Sequence, residues 1–332
     1  MRGRRLSRLV RTALAIVSAC AAVAAIEGML RAAGYRYSPV RIGSNVSSDW
    51  REQHAFHDRH LIYDPDLIWR PFSGQFSPFN PQGFRGLPVA PIKPSGALRV
   101  IALGDSNTFG WDVDEGVNWP TQLQGLLRES HPGAEVINAG VWGYSSFQGL
   151  RRFKELVELD PDLVLVSFGA NDAQPVRVPD ARYVRSHNRI ERLTRATRRL
   201  RLAQLAVAAW DRLGQAVSGS ATLGPRVPVE DYVAHLREIV DLGRSRGITV
   251  VLLTRPYVGS STDPASWKTY APSYNAAVVA VGRAMDAAVI DVYGAFRNHD
   301  NYFDDESHFG VEGHRVAAEL IRTELATLIG KP

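Results

Sequence analysis

Residues 98–106 read LRVIALGDS, an apolar run that ends in a glycine, an aspartate and a serine. A short apolar run bounded by a turn signal is typical of a buried β-strand. The glycine lets the chain bend sharply after the strand, which brings Ser106 to the N-terminus of a helix. Backbone N–H groups and the helix dipole favour a developing negative charge there. Ser106 is therefore a candidate nucleophile, although taken alone it also fits an ordinary helix N-cap.

The chain around this strand alternates between apolar runs and helical patterns. Further apolar runs lie at 136–137, 163–168, 248–253 and 289–292. Helical periodicity covers 120–130, 147–159, 229–244, 274–287 and 313–329. Strands that alternate with helices predict an α/β fold with a parallel sheet covered on both faces. Because ligands bind beyond the carboxyl ends of the strands in such sheets, the polar residues that end these runs form the candidate site.

Two more strand ends carry groups that can stabilise an anion. The second run leads into NAGVWGYS at 138–145, where Gly143 can bring its N–H close to a ligand because it has no side chain. The third run ends in GAND at 169–172, where the Asn171 amide can donate to an oxyanion. Each residue also has a plainer interpretation, which is a turn glycine for Gly143 and an Asx-turn for Asn171.

A carboxylate and an imidazole follow the fifth run. Asp305 lies three residues before His308, so its carboxylate can hold one imidazole nitrogen while the other faces Ser106. A hydroxyl, a base and an orienting carboxylate are what a serine nucleophile needs. Asp304 has the poorer spacing for the orienting role. His314, one helical turn later, is interpreted as a surface residue at a helix start.

Taken together, these blocks resemble those of the SGNH or GDSL-type hydrolases, over about Leu98 to Leu328. The resemblance implies a three-layer α/β/α sandwich of flavodoxin-like topology, with a five-stranded parallel sheet. It implies a catalytic triad and an oxyanion hole, and it requires neither a metal nor an organic cofactor. The implied residues are Ser106, Asp305 and His308 for the triad, and the Ser106 N–H, the Gly143 N–H and the Asn171 side chain for the oxyanion hole.

Two positions depart from the family's usual pattern. Asn107 stands where the first block has leucine, and Ala170 stands where the third block has a second glycine. Neither change removes a catalytic group.

The N-terminus is a basic segment followed by an apolar one. Residues 1–11 hold five arginines and no acid, and residues 12–26 carry no charge. This layout is that of a signal peptide or a signal anchor, and we favour an uncleaved membrane helix. A lipoprotein processed at Cys20, within VSAC at 17–20, and a cleaved signal remain open. The positive-inside rule then places the rest of the chain in the periplasm or outside the cell.

We expect three segments: an anchor at 1–31, a stalk and N-terminal extension at 32–97 that packs partly on the main domain, and the main domain at 98–330. A basic helical insertion at about 177–226 is a solvated amphipathic helix, a lid, or a surface for anionic headgroups or an acidic polymer. The stretches 27–31 and 80–86 resemble parts of membrane-anchored bacterial members of the family. Arg85, in the second stretch, is predicted to make a structural pairing rather than to contact substrate.

The composition argues against several other kinds of site. The chain has 332 residues and one cysteine, which excludes an intrachain disulfide and a cysteine-based zinc site. His54, His57 and His60 lie three apart, but no acidic or cysteine cluster accompanies them, so no metal site is predicted. The net charge is +5, and an exported domain makes nucleic acid an unlikely partner.

These features predict a serine esterase that hydrolyses a carboxylic ester, with an acylated or acetylated glycan as one expected substrate. The alternative is an O-acyltransferase that modifies a cell-surface polysaccharide, because a sugar hydroxyl can intercept the same acyl-serine. A binding module on an inherited fold is the third hypothesis, and the complete triad disfavours it.

Overall fold

The computed structural model describes residues 2–35, 37, 60–75, 77–185, 199–217 and 223–328. The helices described here are α1 (Arg2–Ala32), α2 (Ser106–Phe109), α3 (Trp119–Arg128), α4 (Ser146–Leu156), α5 (Arg201–Val217), α6 (Val229–Ser245), α7 (Ala271–Met285), α8 (Val292–Phe296) and α9 (Val311–Leu328). The strands are β1 (Leu61–Asp64), β2 (Ile68–Pro71), β3 (Arg99–Gly104), β4 (Glu135–Asn138), β5 (Leu163–Ser167), β6 (Pro175–Val176), β7 (Gly224–Pro225), β8 (Thr249–Leu253) and β9 (Ala288–Ile290).

The chain divides into two compact units. The smaller unit comprises Met1–Pro39 and Arg185–Ser220, and the larger unit comprises Val40–Val184 and Ala221–Pro332.

The larger unit is built on a five-stranded parallel sheet with the strand order β4-β3-β5-β8-β9. The first strand of this sheet in the chain is β3. The next strand, β4, forms one edge, and the chain then crosses back to β5, β8 and β9, which forms the other edge. This is the flavodoxin-like order, in which the carboxyl ends of β3 and β5 flank the point where the direction reverses. The five apolar runs form these five strands, so the predicted α/β fold is confirmed.

Helices cover both faces of the sheet. Side chains of β3 alternate between two cores, with Ile101 and Leu103 in one and Val100 and Ala102 in the other. Alternation of this kind follows from the two-residue period of a strand. Helices α4, α6 and α7 pack on the first face, and α3, α8 and α9 pack on the second. The result is the predicted three-layer sandwich.

The described part of the expected stalk contributes to the main core. Strands β1 and β2 form an antiparallel hairpin, and Leu61, Trp69 and Phe84 are at most 3% exposed and lie in the same core as α4. The Tyr144 hydroxyl donates to the Trp69 carbonyl at 2.9 Å. The described residues 60–75 and 77–97 therefore belong to the larger unit.

In the smaller unit, α1 contains the apolar stretch Val10–Ala32, whose 23 residues are long enough to cross a membrane. Most side chains of this stretch are exposed, including that of Cys20, whereas Glu27 and Leu30 are partly buried. A signal sequence satisfies the same criteria of length and composition. Helix α5 lies within the basic helical insertion predicted at about 177–226. Of the arginines in the basic insertion, Arg189, Arg192, Arg195 and Arg198 lie outside the described residues.

Candidate active site

Strand β3 delivers Ser106 to the carboxyl edge of the sheet. Asp105 caps α2 by accepting a hydrogen bond from the Asn107 N–H at 2.9 Å, and Ser106 is the first residue of the helix. A Cβ at Gly104 would lie 2.1 Å from Thr108 Oγ1 and 2.8 Å from the Ser167 carbonyl oxygen, so this close packing requires glycine. The turn holds Ser106 8% exposed.

The residues predicted as a triad lie together. Ser106 Oγ is 2.8 Å from His308 Nε2, and His308 Nδ1 is 2.6 Å from Asp305 Oδ2. The histidine loop, residues 303–310, runs between a 3-10 helix and α9. A hydroxyl, an imidazole and a carboxylate are thus joined in a continuous hydrogen-bonded line.

The Asp305 carboxylate is fixed from two sides. Its Oδ1 accepts from the backbone N–H groups of Ser307 at 2.7 Å and His308 at 2.8 Å. Partial burial disfavours the ionised carboxylate, but the His308 ring and these N–H donors outweigh it and hold the pKa of Asp305 well below its ordinary value. Asp305 therefore remains ionised at neutral pH and orients the imidazole. Asp304 contacts His308 through the backbone, where its N–H donates to the His308 carbonyl at 3.0 Å.

The groups predicted for the oxyanion hole lie on two neighbouring loops. Gly143 is buried with φ +75°, a left-handed conformation that favours glycine. Among the described residues, no protein acceptor takes the N–H of Ser106 or of Gly143. Asn171 Nδ2 donates to the Tyr144 carbonyl at 3.1 Å, and a primary amide has a second hydrogen to donate.

Asp172 links the loop that carries Gly143 to the loop that carries Asn171. Its Oδ1 accepts from the Ser146 N–H at 2.9 Å and the Ser146 hydroxyl at 2.5 Å, and its Oδ2 accepts from the Gly169 N–H at 3.1 Å. Ser146 Oγ also lies 2.9 Å from His235 Nδ1. Complete burial raises the pKa of Asp172 to about 7, against the effect of the hydrogen bonds from Ser146.

A buried ion pair, which the sequence analysis did not identify, supports the loop that carries Gly143. Arg226 Nη1 donates to the Gly143 carbonyl at 2.6 Å, and Arg226 Nε donates to Asp180 Oδ1 at 2.8 Å. Asp180 Oδ2 accepts from the Ser145 hydroxyl at 2.8 Å. The side chains of the pair are 4% and 5% exposed, so water does not compete for these bonds.

A second buried ion pair, which the sequence analysis also did not identify, joins the histidine loop to the serine turn, residues 104–106. Arg255 Nε donates to Asp105 Oδ2 at 2.9 Å, and Arg255 Nη1 donates to the Ser307 carbonyl at 2.9 Å. The side chain of Asn107, one of the two residues that depart from the family pattern, accepts from the Phe309 N–H at 3.0 Å. Both contacts fix the position of the histidine loop relative to the serine turn.

Two histidines outside the predicted triad, His314 and His60, pack against tryptophan residues. His314 is fully buried, which overturns its interpretation as a surface residue, because α9 turns this position toward the core. Its Nδ1 accepts from the Trp119 N–H at 3.2 Å, and burial lowers its pKa to about 3. The His60 ring lies 6.0 Å from that of Trp142, whereas His54 and His57 lie outside the described residues.

Arg85 makes the predicted structural pairing. Its guanidinium donates to the Phe109 carbonyl at 2.9 Å and lies 4.5 Å from the centroid of the Phe109 ring. Its backbone N–H donates to the Asn138 carbonyl at 3.0 Å. These contacts tie the N-terminal extension to the end of α2.

Aromatic rings line the approach to His308. The half-buried Trp111 ring lies 6.1 Å from the imidazole and 5.7 Å from the Trp142 ring. Trp142 in turn packs edge-on against Phe109 at 4.8 Å. The site therefore combines the hydrogen-bonded line from Asp305 through His308 to Ser106 with apolar rings beside the imidazole.

A model described as the GDSL-like Lipase/Acylhydrolase family matches residues 102–316, more than half of the chain. An arylesterase of Vibrio mimicus is 36% identical over 75 residues, which cover 22% of this chain and 38% of that protein. An acetylxylan esterase of Xylanibacter ruminicola is 29% identical over 94 residues, which cover 26% of this chain and 19% of that protein. The chain thus spans less than half the length of these two curated relatives.

Among solved structures, a lipase/acylhydrolase from Enterococcus faecalis is similar to this chain. It is 24% identical, with a TM-score of 0.48, and the match covers 71% of this chain and 98% of that one.

Proposed function

Since the chain belongs to the GDSL-like lipase/acylhydrolase family, we propose that it is a serine esterase that cleaves carboxylic esters through an acyl-serine intermediate. The observation that carries this proposal is the line from Asp305 through His308 to Ser106, with separations of 2.6 and 2.8 Å. Both separations are within hydrogen-bond range for a base and the proton that it accepts.

In the first half of the reaction, Ser106 Oγ attacks the ester carbonyl carbon while His308 Nε2 takes the hydroxyl proton. Asp305 keeps the proton of His308 on Nδ1 and stabilises the imidazolium that forms. The tetrahedral oxyanion accepts hydrogen bonds from the Ser106 and Gly143 N–H groups and from the Asn171 amide. Collapse of this intermediate breaks the ester C–O bond, and His308 donates its proton to the departing alcohol.

In the second half, His308 takes a proton from water as the water attacks the acyl-serine. The C–O bond to Ser106 then breaks, the serine recovers its proton from His308, and the carboxylic acid leaves. In the alternative reaction a sugar hydroxyl replaces water in this step, and the enzyme acts as an O-acyltransferase. An acetylated glycan is the substrate class that we propose to try first, together with aryl esters, for which Trp111 offers a stacking surface.

We further propose that α1 anchors the protein in a membrane and that the larger unit lies on the exported side. The apolar stretch Val10–Ala32 and the arginines before it support this orientation. A reporter that is active only outside the cytoplasm, fused after Pro332, is expected to be active. An active cytoplasmic reporter at the same position would contradict the orientation and leave the esterase chemistry untouched.

The central experiment compares Ser106→Ala with Ser307→Ala in the full-length protein. Ser106→Ala is expected to lose ester cleavage by about 10⁴-fold or more, because triad members act as a unit. Ser307→Ala, which leaves the backbone contacts of the histidine loop in place, should stay active. A phosphonate ester should label the wild type at Ser106, as read by mass spectrometry of the peptides. Labelling at another serine, or a fully active Ser106→Ala variant, refutes the assignment.

Adding an acceptor sugar to the same assay separates the two reactions. An esterase releases free carboxylic acid at a rate that the acceptor does not change. A transferase instead yields acylated sugar at the expense of free acid.

A further inference from the structure

Helix α5 has an exposed apolar face. Trp210 and Leu213 are 55% and 57% exposed, and Ala206 and Ala209 are also exposed. The spacing of these residues places them along one side of the helix. A large exposed tryptophan beside an exposed leucine is uncommon on a surface that meets only water, and such patches mark interaction sites.

The opposite side of α5 makes the contacts within the smaller unit. Gln204 Oε1 accepts from the Tyr37 N–H at 3.1 Å, and Ala208 is 3% exposed. The helix therefore packs within the smaller unit through the side that carries Gln204 and Ala208, and it turns the side that carries Trp210 and Leu213 away from these contacts. A helix that packs on a soluble core buries its large apolar residues instead.

The N-terminus of α5 is held by the end of α1. Glu27 Oε2 accepts from the Leu202 N–H at 2.9 Å, and Arg31 Nη2 donates to the Arg199 carbonyl at 3.1 Å. Glu27 and Arg31 also pair with each other at 2.7 Å. The N-terminus of α5 thus lies beside the carboxyl end of the apolar stretch Val10–Ala32.

The charges near this junction are basic. The first turn of α5 has no acidic residue, and Arg199 and Arg201 stand at its start. Glu27 offsets one of the three arginines at this junction, Arg31, Arg199 and Arg201. Anionic lipid headgroups at the surface of a bilayer would complement the remaining positive charge.

We propose that α5 lies in the membrane interface beside α1, with Ala206, Trp210 and Leu213 immersed at the boundary of the acyl chains and Arg199 and Arg201 at the level of the phosphates. Helices with a tryptophan-bearing apolar face and arginine on the polar side bind bilayers in this way. The proposal rests on the anchoring of α1, because the membrane places lipid next to α5. It adds a second, peripheral attachment that fixes the smaller unit on the membrane.

The test uses nitroxide labels on single cysteines in full-length Cys20→Ser protein, reconstituted in vesicles of phosphatidylethanolamine and phosphatidylglycerol. Ala206→Cys reports the apolar face of α5, Arg212→Cys reports an exposed polar position of α5 outside that face, and Ala22→Cys reports α1. All three positions are exposed, so the substitutions leave the packing intact. The measurement is the accessibility of each label to oxygen, which concentrates in lipid, and to a water-soluble nickel chelate.

Labels at 22 and 206 are expected to favour oxygen over the nickel chelate by about threefold or more relative to the label at 212. If 22 lies in lipid and 206 in water, the proposal for α5 is overturned and the anchor stands. If 22 itself lies in water, both the anchor and the proposal that depends on it fail. If 206 is shielded from both reagents, protein covers the face, either from a second copy or from another chain, and the lipid assignment is wrong.

Discussion

Arg255 and Asp105 form a buried ion pair at 2.9 Å, although they lie 150 positions apart in the chain. The same guanidinium reaches the Ser307 carbonyl, one residue before His308. One side chain therefore sets the spacing between the element that carries the hydroxyl and the element that carries the imidazole. We regard Arg255 as a positioning residue, since it touches neither the ester nor the reacting atoms.

The first prediction concerns Arg255. Arg255→Lys keeps a positive charge near Asp105 but cannot reach both Asp105 and Ser307, so kcat should fall about 10- to 100-fold with KM changed little. Arg255→Met leaves the Asp105 charge buried without its partner and should destabilise the fold by about 3–5 kcal/mol. Steady-state kinetics and urea unfolding measure the two effects.

Lys268→Met is the matched control for Arg255, because Lys268 pairs with Glu306 of the same histidine loop at 2.8 Å. The Glu306 side chain is largely exposed, so loss of this pair should leave kcat within about threefold. Equal losses from the Arg255→Lys and Lys268→Met variants would mean that the loop responds to charge in general rather than to Arg255.

The second prediction separates the two neighbouring aspartates. Asp305→Asn removes the carboxylate that accepts from His308 Nδ1, and kcat should fall by about 10³- to 10⁴-fold because the imidazole loses its tautomer and its orientation. Asp304→Asn should have an effect below about threefold, since Asp304 contacts His308 through its backbone. Kinetics on an aryl acetate measures both variants. Comparable losses in the two would remove Asp305 from its assigned role.

The third prediction concerns Arg226. Arg226→Lys can retain the pairing with Asp180, but it loses the fork that also reaches the Gly143 carbonyl, so the oxyanion donor on that loop should shift. We expect kcat to fall about 10- to 100-fold at a nearly constant KM, because the loss is felt in the transition state. Asn171→Ala provides a reference for the loss of one oxyanion donor, at about 10²- to 10³-fold. An Arg226→Lys variant that loses stability but keeps the kcat of the wild type would assign Arg226 a structural role alone.

The fourth prediction is a pH effect on stability. Burial holds the pKa of His314 at about 3 in the folded protein, whereas an unfolded histidine titrates near 6.5. The unfolded state therefore binds the extra proton in this interval, and the free energy of unfolding falls as the pH drops below about 6.5 toward 3. Between pH 7 and pH 4.5 this group should cost roughly 2–3 kcal/mol.

His314→Gln removes this titration while keeping a side-chain acceptor near the Trp119 N–H. Urea unfolding at pH 7 and at pH 4.5 should show a smaller difference for His314→Gln than for the wild type. Identical differences would mean that His314 is not the group that drives acid sensitivity.

The sequence predicted the strands and the candidate triad because these carry local signals. Residues 98–106 combine a buried apolar run with a sharp turn, and Asp305 lies at the right distance from His308. In a parallel sheet the carboxyl ends of the strands lie at the same edge, so the polar residues that follow them come together there. Helix periodicity similarly predicted α3, α4, α6, α7 and α9 to within a few residues.

The ion pairs could not be predicted, because each joins residues that are far apart in the chain. Arg255 follows β8 in a short polar stretch that looks like an ordinary loop, and its partner is in the serine turn. The hairpin of β1 and β2 was missed for a different reason, since its strands have only four residues each, too few to show a period. Trp69 is fully buried, but no periodic pattern in the sequence around it indicated this.

The pairing of β6 with β7 has a consequence for how this chain can vary. Pro175 and Val176 lie opposite Pro225 and Gly224, so the segment between the two strands begins and ends at neighbouring points of the larger unit. The cost of closing such a loop rises by only about 0.6 kcal/mol for each doubling of its length. Within that segment, residues 185–220 belong to the smaller unit and behave as an exchangeable cassette. They can be lengthened, shortened or replaced in the course of evolution while Asp180, Tyr183 and the sheet of the larger unit stay in place.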